Sequence, residues 1–270
     1  MPENYDTITS ASNPVVKLFR GLERKKGRQE TGLFLAEGVR LVSEGLEQGW
    51  TLDTLVVGTT AMDRDYVVTL AQTAAASGTR VVNAAPNLME RLARKDNPQA
   101  VMGAFRQAHP SLERLTEDGP ARFLVLYEIR DPGNLGTLIR TADCAGMDGV
   151  LLLGPSCDPY SVEAVRASMG SIFDLPPVAV PAEAGLEWLK RTTTIIVAAT
   201  MNGEARHDDD VYGERSAVLM GTEQSGLPDT VEAECDVCVR IPMRGGADSL
   251  NLAQAGAIMI YEAWRQQGFT

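Results

Sequence analysis

The chain has 270 residues, 44% of them hydrophobic, enough to bury one large core or two modest ones, which excludes a disordered or fibrous protein. A net charge of −11 excludes a surface of uniformly positive potential, so a polyanionic partner would have to be met by a local basic patch. No apolar run approaches the roughly 20 residues of a bilayer crossing.

The N-terminus, MPENYDTITSASNP, has no basic segment followed by an apolar one. Four cysteines, Cys144, Cys157, Cys235 and Cys238, are too few for a disulfide scaffold, so a cytoplasmic protein with reduced thiols and no membrane partner is expected. Cys235 and Cys238 form a lone CxxC without a second pair or a nearby histidine, which reads as strand packing and not as a metal site.

In chain order, Val15 to Glu30 reads VVKLFRGLERKKGRQE and carries Lys17, Arg20, Arg24, Lys25, Lys26 and Arg28 against Glu23 and Glu30 on a helix. That face is either solvated or in contact with RNA. Strand patterns follow in GLFLAEG, LDTLVVG, TRVVNA and AVMGAFR, separated by the helical VRLVSEGLEQ and YVVTLAQTAAAS, so residues 1–107 read as a small α/β domain. Residues 108–121, with prolines, charges and no apolar period, read as a linker.

From residue 122 to 270 the alternation is stronger. RFLVLYEI, GVLLLG, TIIVAAT, SAVLMG and DVCVRIPM are short apolar runs of the kind buried on both faces of a parallel sheet, and ligands of such sheets bind outside the carboxyl ends of the strands. HDDDVYGE reads as an acidic solvated face.

Three loops after these strands are specific. In EIRDPGNLGTLIRTADCAG, Asn134 is placed to cap the helix that carries Arg140, and Arg140 alone would read as a surface residue paired with Asp143. The spacing is neither G-x-G-x-x-G nor a P-loop, which removes support for nicotinamide or nucleoside triphosphate chemistry. In VLMGTEQSGLP, a strand ends at Gly221 and Glu223 follows in a turn. In IPMRGGADSLNLAQAGAIMIYEAWRQ, two glycines precede an apolar helix that Asp248 or Ser249 can cap.

DPGNLGTLIRTADCAG, LMGTEQSGLP and IPMRGGADSLNLAQA, in this order, resemble the three signature motifs of the SpoU (TrmH-like) RNA ribose 2′-O-methyltransferases of the SPOUT superfamily. The resemblance runs from about Leu124 to Gln266, and the N-terminal part resembles the small substrate-binding domain, similar to certain ribosomal proteins, that many members carry. It implies an α/β fold with a parallel sheet covered by helices and a C-terminal deep trefoil knot, an exception to unthreaded connections. It also implies S-adenosyl-L-methionine as cofactor, a homodimer and RNA as partner.

By position, Asn134, Arg140, Glu223, Ser249 and Asn251 fall on the family's catalytic site, and Gly221, Ile241, Met243 and Leu250 on its cofactor site. Gln224, where glycine is frequent, and Ala253-Gln254, where serine and an apolar residue are usual, depart from the pattern. The resemblance implies Arg140 as activator of the ribose hydroxyl; a guanidinium, with a pKa above ~12, is a poor base unless its surroundings deprotonate it, so electrostatic stabilisation of a developing alkoxide is the expected role, with base action as the other reading.

Large-subunit ribosomal RNA is the expected substrate and transfer RNA the alternative. A catalytically silent RNA-binding or ribosome-assembly factor is the reading from another class, and absence of Arg140 or Asn251 would point to it; both are present.

Overall fold

The computed structural model describes residues 5–93, 99–192, 194–246 and 248–269. The chain forms two compact units, Met1–Ala108 with Tyr160–Phe173, and His109–Pro159 with Asp174–Thr270.

The first unit runs β1 (Thr7–Ile8), α1 (Pro14–Leu22), α2 (Lys25–Thr31), β2 (Leu33–Glu37), α3 (Val39–Glu47), β3 (Leu52–Gly58), α4 (Asp65–Ala76), β4 (Arg80–Ala84), α5 (Pro86–Ala93) and β5 (Val101–Arg106). Its five strands lie in the order β1-β4-β3-β5-β2. The β1, β4 and β3 pairings are parallel, whereas β5 runs antiparallel to both neighbours.

The basic stretch, expected as one helix, is two. Asn13 caps α1 by accepting from the Val15 N–H, with Pro14 at the first helical position. The chain then turns extended at Arg24, and Gly32 ends α2 at φ 65°. The reason for the break is a close crossing: a Cβ on Gly27 would lie 2.2 Å from the Gly21 carbonyl oxygen. Val15, Val16, Phe19 and Leu22 are buried beneath α1, leaving Lys17 and Arg20 in solvent.

The second unit contains β6 (Ala121–Tyr127), α6 (Pro132–Cys144) and β7 (Gly149–Leu153). After α7 (Val162–Ser168) and α8 (Ser171–Asp174) come β8 (Val178–Val180), α9 (Ala182–Arg191), β9 (Ile195–Ala199), β10 (Ala205–Arg206), β11 (Arg215–Met220), α10 (Asp229–Glu232), β12 (Val237–Arg240) and α11 (Leu252–Gln266). Seven strands are ordered β10-β12-β9-β11-β6-β7-β8, all parallel.

Side chains alternate along β6. Leu124 and Leu126 share a core with Leu138 and Ile139 of α6 and Met259 and Ile260 of α11, while Phe123 and Val125 pack with Trp188 and Leu189 of α9. Helices α6 and α11 meet closely at Gly256, where a Cβ would lie 2.3 Å from Leu138 Cδ2.

Residues expected as a linker lie against this unit: Leu112 and Leu115 pack on its core, and the buried Arg215 guanidinium donates to the carbonyls of Thr116 (2.6 Å) and Gly119 (3.2 Å). Cys235 and Cys238 pack against the same core. The short strands β1, β8 and β10, two or three residues each, are not separate strands in the sequence pattern because none contains a sustained apolar run.

Tyr160–Phe173 completes the core of the first unit. Phe34 stacks on Tyr160 at 4.7 Å, Trp50 meets Phe173 edge-on at 5.2 Å, and Trp50 Nε1 donates to the Phe173 carbonyl at 2.9 Å. Arg166 pairs with Glu37 at 2.7 Å.

Candidate active site

The sheet places β11 between β9 and β6, in register with β6 from Arg215↔Ala121 to Met220↔Leu126. The loops leaving β6 and β11 therefore emerge side by side at the carboxyl edge. After β6 the backbone passes through Glu128 at φ 48°, a left-handed conformation rare for a residue with a side chain.

Asp131 then caps α6, its Oδ1 accepting from the Asn134 N–H at 2.7 Å, with Pro132 at the first helical position. The expectation that Asn134 is the cap is corrected. Because Asp131 satisfies the helix end, the Asn134 side chain is available to other loops.

After β11, Thr222 and Gly226 exchange backbone hydrogen bonds at 3.0 and 3.2 Å across a tight turn. Gly226 sits at φ 66°, and Gly221 packs so closely that a Cβ would lie 2.2 Å from the Gly226 carbonyl carbon. This turn projects Glu223 at the first loop: Oε1 accepts from the Asp131 N–H (3.0 Å) and Asn134 Nδ2 (3.4 Å), and Oε2 from the Arg130 N–H (3.3 Å).

The third loop ends at Asn251, the N-cap of α11. Its Oδ1 accepts from the Ala253 and Gln254 N–H groups, at 2.9 and 3.4 Å, so the cap is neither Asp248 nor Ser249 as expected. Its Nδ2 donates to Asn134 Oδ1 at 3.0 Å. One carboxylate and two amides, one from each loop, thus form a single hydrogen-bonded chain: Glu223, Asn134, Asn251.

These groups line a cleft of about 790 Å³ that also includes Glu128, Arg130, Thr222, Ser249 and Leu250. The volume lies in the range of small-molecule sites. Three carboxylates on its wall, Glu128, Asp131 and Glu223, suit a ligand with a cationic centre far better than a nucleoside triphosphate. The half-buried Cys157 thiol is pushed up to about 12, first by burial and then by the charges of Glu223, Asp131 and Asp158. It remains a neutral thiol beside the carboxylates at neutral pH.

The other expected site residues are dispersed. Gly221 lies at the base of the second turn, Ile241 is half-buried against the core, and Met243 is 44% exposed; none of the three is on the wall of this cleft. Arg140 is exposed on α6, away from the cleft wall, and neither pairs with Asp143 nor bonds any other described residue.

Lys17, Arg20, Arg24, Lys25 and Lys26 are exposed, with Lys26 3.7 Å from Glu30. Arg28 is a correction: it is 3% exposed, and its Nη1 donates to the Leu22 carbonyl at 2.8 Å, tying down the end of α1 instead of facing a partner. Sequence reasoning passes over Glu128, Arg130 and Asp131. For Asp131 a signal exists, since an acidic residue directly before proline marks a helix start.

Fold and site together define an α/β protein with a small-molecule site at the carboxyl edge of a parallel sheet. The chain belongs to the SpoU rRNA Methylase family, whose profile matches residues 121–261; an MRM3-like substrate binding domain matches residues 13–103. It is similar to the 23S rRNA (uridine(2479)-2'-O)-methyltransferase of Streptomyces viridochromogenes, 31% identical over 253 residues covering 91% of this chain and 87% of that protein. The 23S rRNA (guanosine(2553)-2'-O)-methyltransferase RlmP of Bacillus subtilis is 29% identical over 255 residues, covering 94% and 97%. The AdoMet-bound rRNA methyltransferase of Sinorhizobium meliloti superposes with a TM-score of 0.89 at 39% identity, covering 97% and 98% of the two chains.

Proposed function

We propose that this protein is an S-adenosyl-L-methionine-dependent RNA 2′-O-ribose methyltransferase acting on large-subunit, 23S-type ribosomal RNA. The observation that carries the reading is the Glu223–Asn134–Asn251 chain, which joins the three motif loops at one cleft. Ribosomal RNA is favoured over transfer RNA because relatives aligned over nearly the whole chain, substrate-binding region included, are named for 23S rRNA.

Bound S-adenosyl-L-methionine supplies a methyl group on a sulfonium, which needs no acid to depart. The protein's work is then to seat the ribose and prepare its 2′-oxygen. Glu223, held by two backbone N–H groups, fixes the first loop. Asn134 and Asn251 lock each other's amide orientation, and Ser249 adds a hydroxyl at the same wall for a sugar hydroxyl. Leu250 lines the cleft, and with Gly221, Ile241 and Met243, which lie off its wall, it would hold the cofactor. Arg140 stabilises the negative charge that develops on the 2′-oxygen as its proton is lost to solvent.

In this reading the protein is a cytoplasmic homodimer whose C-terminal segment forms a trefoil knot. Exposed Ile258 and Tyr261, three residues apart on α11, support a face covered by a second copy, and the exposure of Arg140 supports a site completed by it. Lys17, Arg20, Arg24, Lys25 and Lys26 are the proposed RNA contacts of the first unit.

Incubation with methyl-labelled S-adenosylmethionine and either a 23S transcript or a transfer RNA pool tests this. Label in the 23S transcript that Arg140→Ala abolishes is expected. Label only in transfer RNA overturns the substrate, and binding of both cofactor and RNA without label favours a silent binding factor.

A further inference from the structure

The cleft wall carries an unassigned cation. Among the described residues that line it, Arg130 is the only positively charged one, beside the carboxylates of Glu128, Asp131 and Glu223. The carboxylates repel a polyanion approaching this wall, and that guanidinium is the charged group on it that attracts one. Arg130 is also held at both ends. Its backbone N–H donates to Glu223, and its Nη2 donates to Glu128 Oε2 at 2.5 Å.

Glu128 is placed for this by an unusual backbone. At φ 48° its side chain turns back over Gly154, where a Cβ would lie 3.2 Å from Glu128 Cγ; Gly154 itself, at φ 71°, leaves that space clear. The Glu128 side chain is 25% exposed and that of Arg130 61%, so the pair is anchored on the carboxylate side and open on the guanidinium side. The other Arg130 donors bond no described residue, although a guanidinium carries five N–H groups in a fork that matches two phosphate oxygens.

We propose that Arg130 is a substrate-binding residue that takes a backbone phosphate of the RNA next to the ribose in the cleft, with Glu128 as the positioning residue that presets its fork. The inference rests on the methyltransferase reading above. A 2′-hydroxyl is flanked by its own 3′ phosphate, so a cation on the same wall fixes the sugar without touching a base, which is a contact that orients and does not discriminate sequence.

The test compares wild type, Arg130→Gln, Arg130→Lys and Glu128→Gln on a 23S transcript. Measured are KM and kcat, the dependence of RNA affinity on salt, and S-adenosylhomocysteine affinity. Arg130→Gln should raise the RNA KM about 10- to 100-fold, the range for removal of one charged hydrogen bond. It should also flatten the slope of log affinity against log salt by about 0.7 to 0.9, the effect of one phosphate, with S-adenosylhomocysteine affinity unchanged.

Arg130→Lys should restore the slope but only part of KM, because a point charge replaces a fork. Glu128→Gln should raise KM less than Arg130→Gln and leave the slope intact. An Arg130→Gln enzyme with wild-type KM and slope overturns this inference alone, and so does one that no longer binds S-adenosylhomocysteine. A wild type that binds the transcript but transfers no methyl group overturns the parent reading as well.

Discussion

The two units use their sheets differently. In the second, seven parallel strands send every carboxyl end to one edge, so the loops after β6, β11 and β12 bring Asn134, Glu223 and Asn251 within hydrogen-bonding reach. In the first, β5 runs against its neighbours and loops leave from both ends. That unit gathers no comparable polar chain among its described residues. It offers instead an aromatic core and, on α1 and α2, an exposed basic surface. Strand direction thus explains why the polar chain of three loops forms at one edge of the second sheet and not in the first.

The contrast makes the largest expected effect a structural one. Phe173, 3% exposed and packed on Trp50 and Phe105, anchors the first unit, and Phe173→Ala should cost about 3–5 kcal/mol in urea unfolding while the refolded enzyme keeps its kcat at low temperature. A fall in kcat out of proportion to stability would break the separation.

Next comes Arg140→Ala, expected to lower methyl transfer about 10²- to 10³-fold with S-adenosylhomocysteine binding unchanged by calorimetry. A drop below tenfold would remove Arg140 from the chemistry.

The two ends of the Asn251 side chain do different things. Asn251→Asp keeps the acceptor that caps α11 but removes the donor to Asn134, so kcat should fall about tenfold at near-normal stability; Asn251→Ala should cost about 1 kcal/mol in addition. Equal stability of the two variants would show that the cap is not needed.

Replacing Lys17, Lys25 and Lys26 together with alanine should flatten the salt dependence of RNA affinity, the slope of log affinity against log salt falling by about 0.7 to 0.9 for each phosphate that is no longer neutralised, while cofactor affinity stays the same. Wild-type salt dependence would make that face merely solvated.

The last effect is on pH and is confined to alkaline conditions. Burial pushes the thiols of Cys157 and Cys235 up from 9.0 to about 12, so below pH 9 both folded and unfolded chains keep these protons. Above it the unfolded chain releases protons that the folded one retains. Stability should therefore decline as pH rises from 9 towards 12, and the Cys157→Ala, Cys235→Ala double variant should show a flatter decline in its melting temperature.

Much of this is legible in the residues. Nine apolar runs mark strands, since a strand buried on both faces has little choice of composition, and the three loops show in their glycine, asparagine and carboxylate spacing. The limits are physical. A two-residue strand such as β10 carries no periodicity. The burial of Arg28 depends on Gly21 and Gly27 letting two helices cross, which a charge count along one helix does not register. That Tyr160 and Phe173 serve a sheet more than fifty residues earlier in the chain is a long-range choice invisible in local pattern. The sequence pattern points to Asn134, within the first turn, as the cap of α6 and to Asp248 or Ser249, in the preceding loop, as the cap of α11, because Asp, Asn and Ser cap almost equally well and only the three-dimensional partner of each decides.

If methyl goes to a ribose oxygen, alkaline hydrolysis of a labelled 23S transcript reveals it. A methylated 2′-oxygen cannot attack the adjacent phosphate, so the label should be recovered in an alkali-resistant dinucleotide. Recovery of all label in mononucleotides would instead place the methyl on a base.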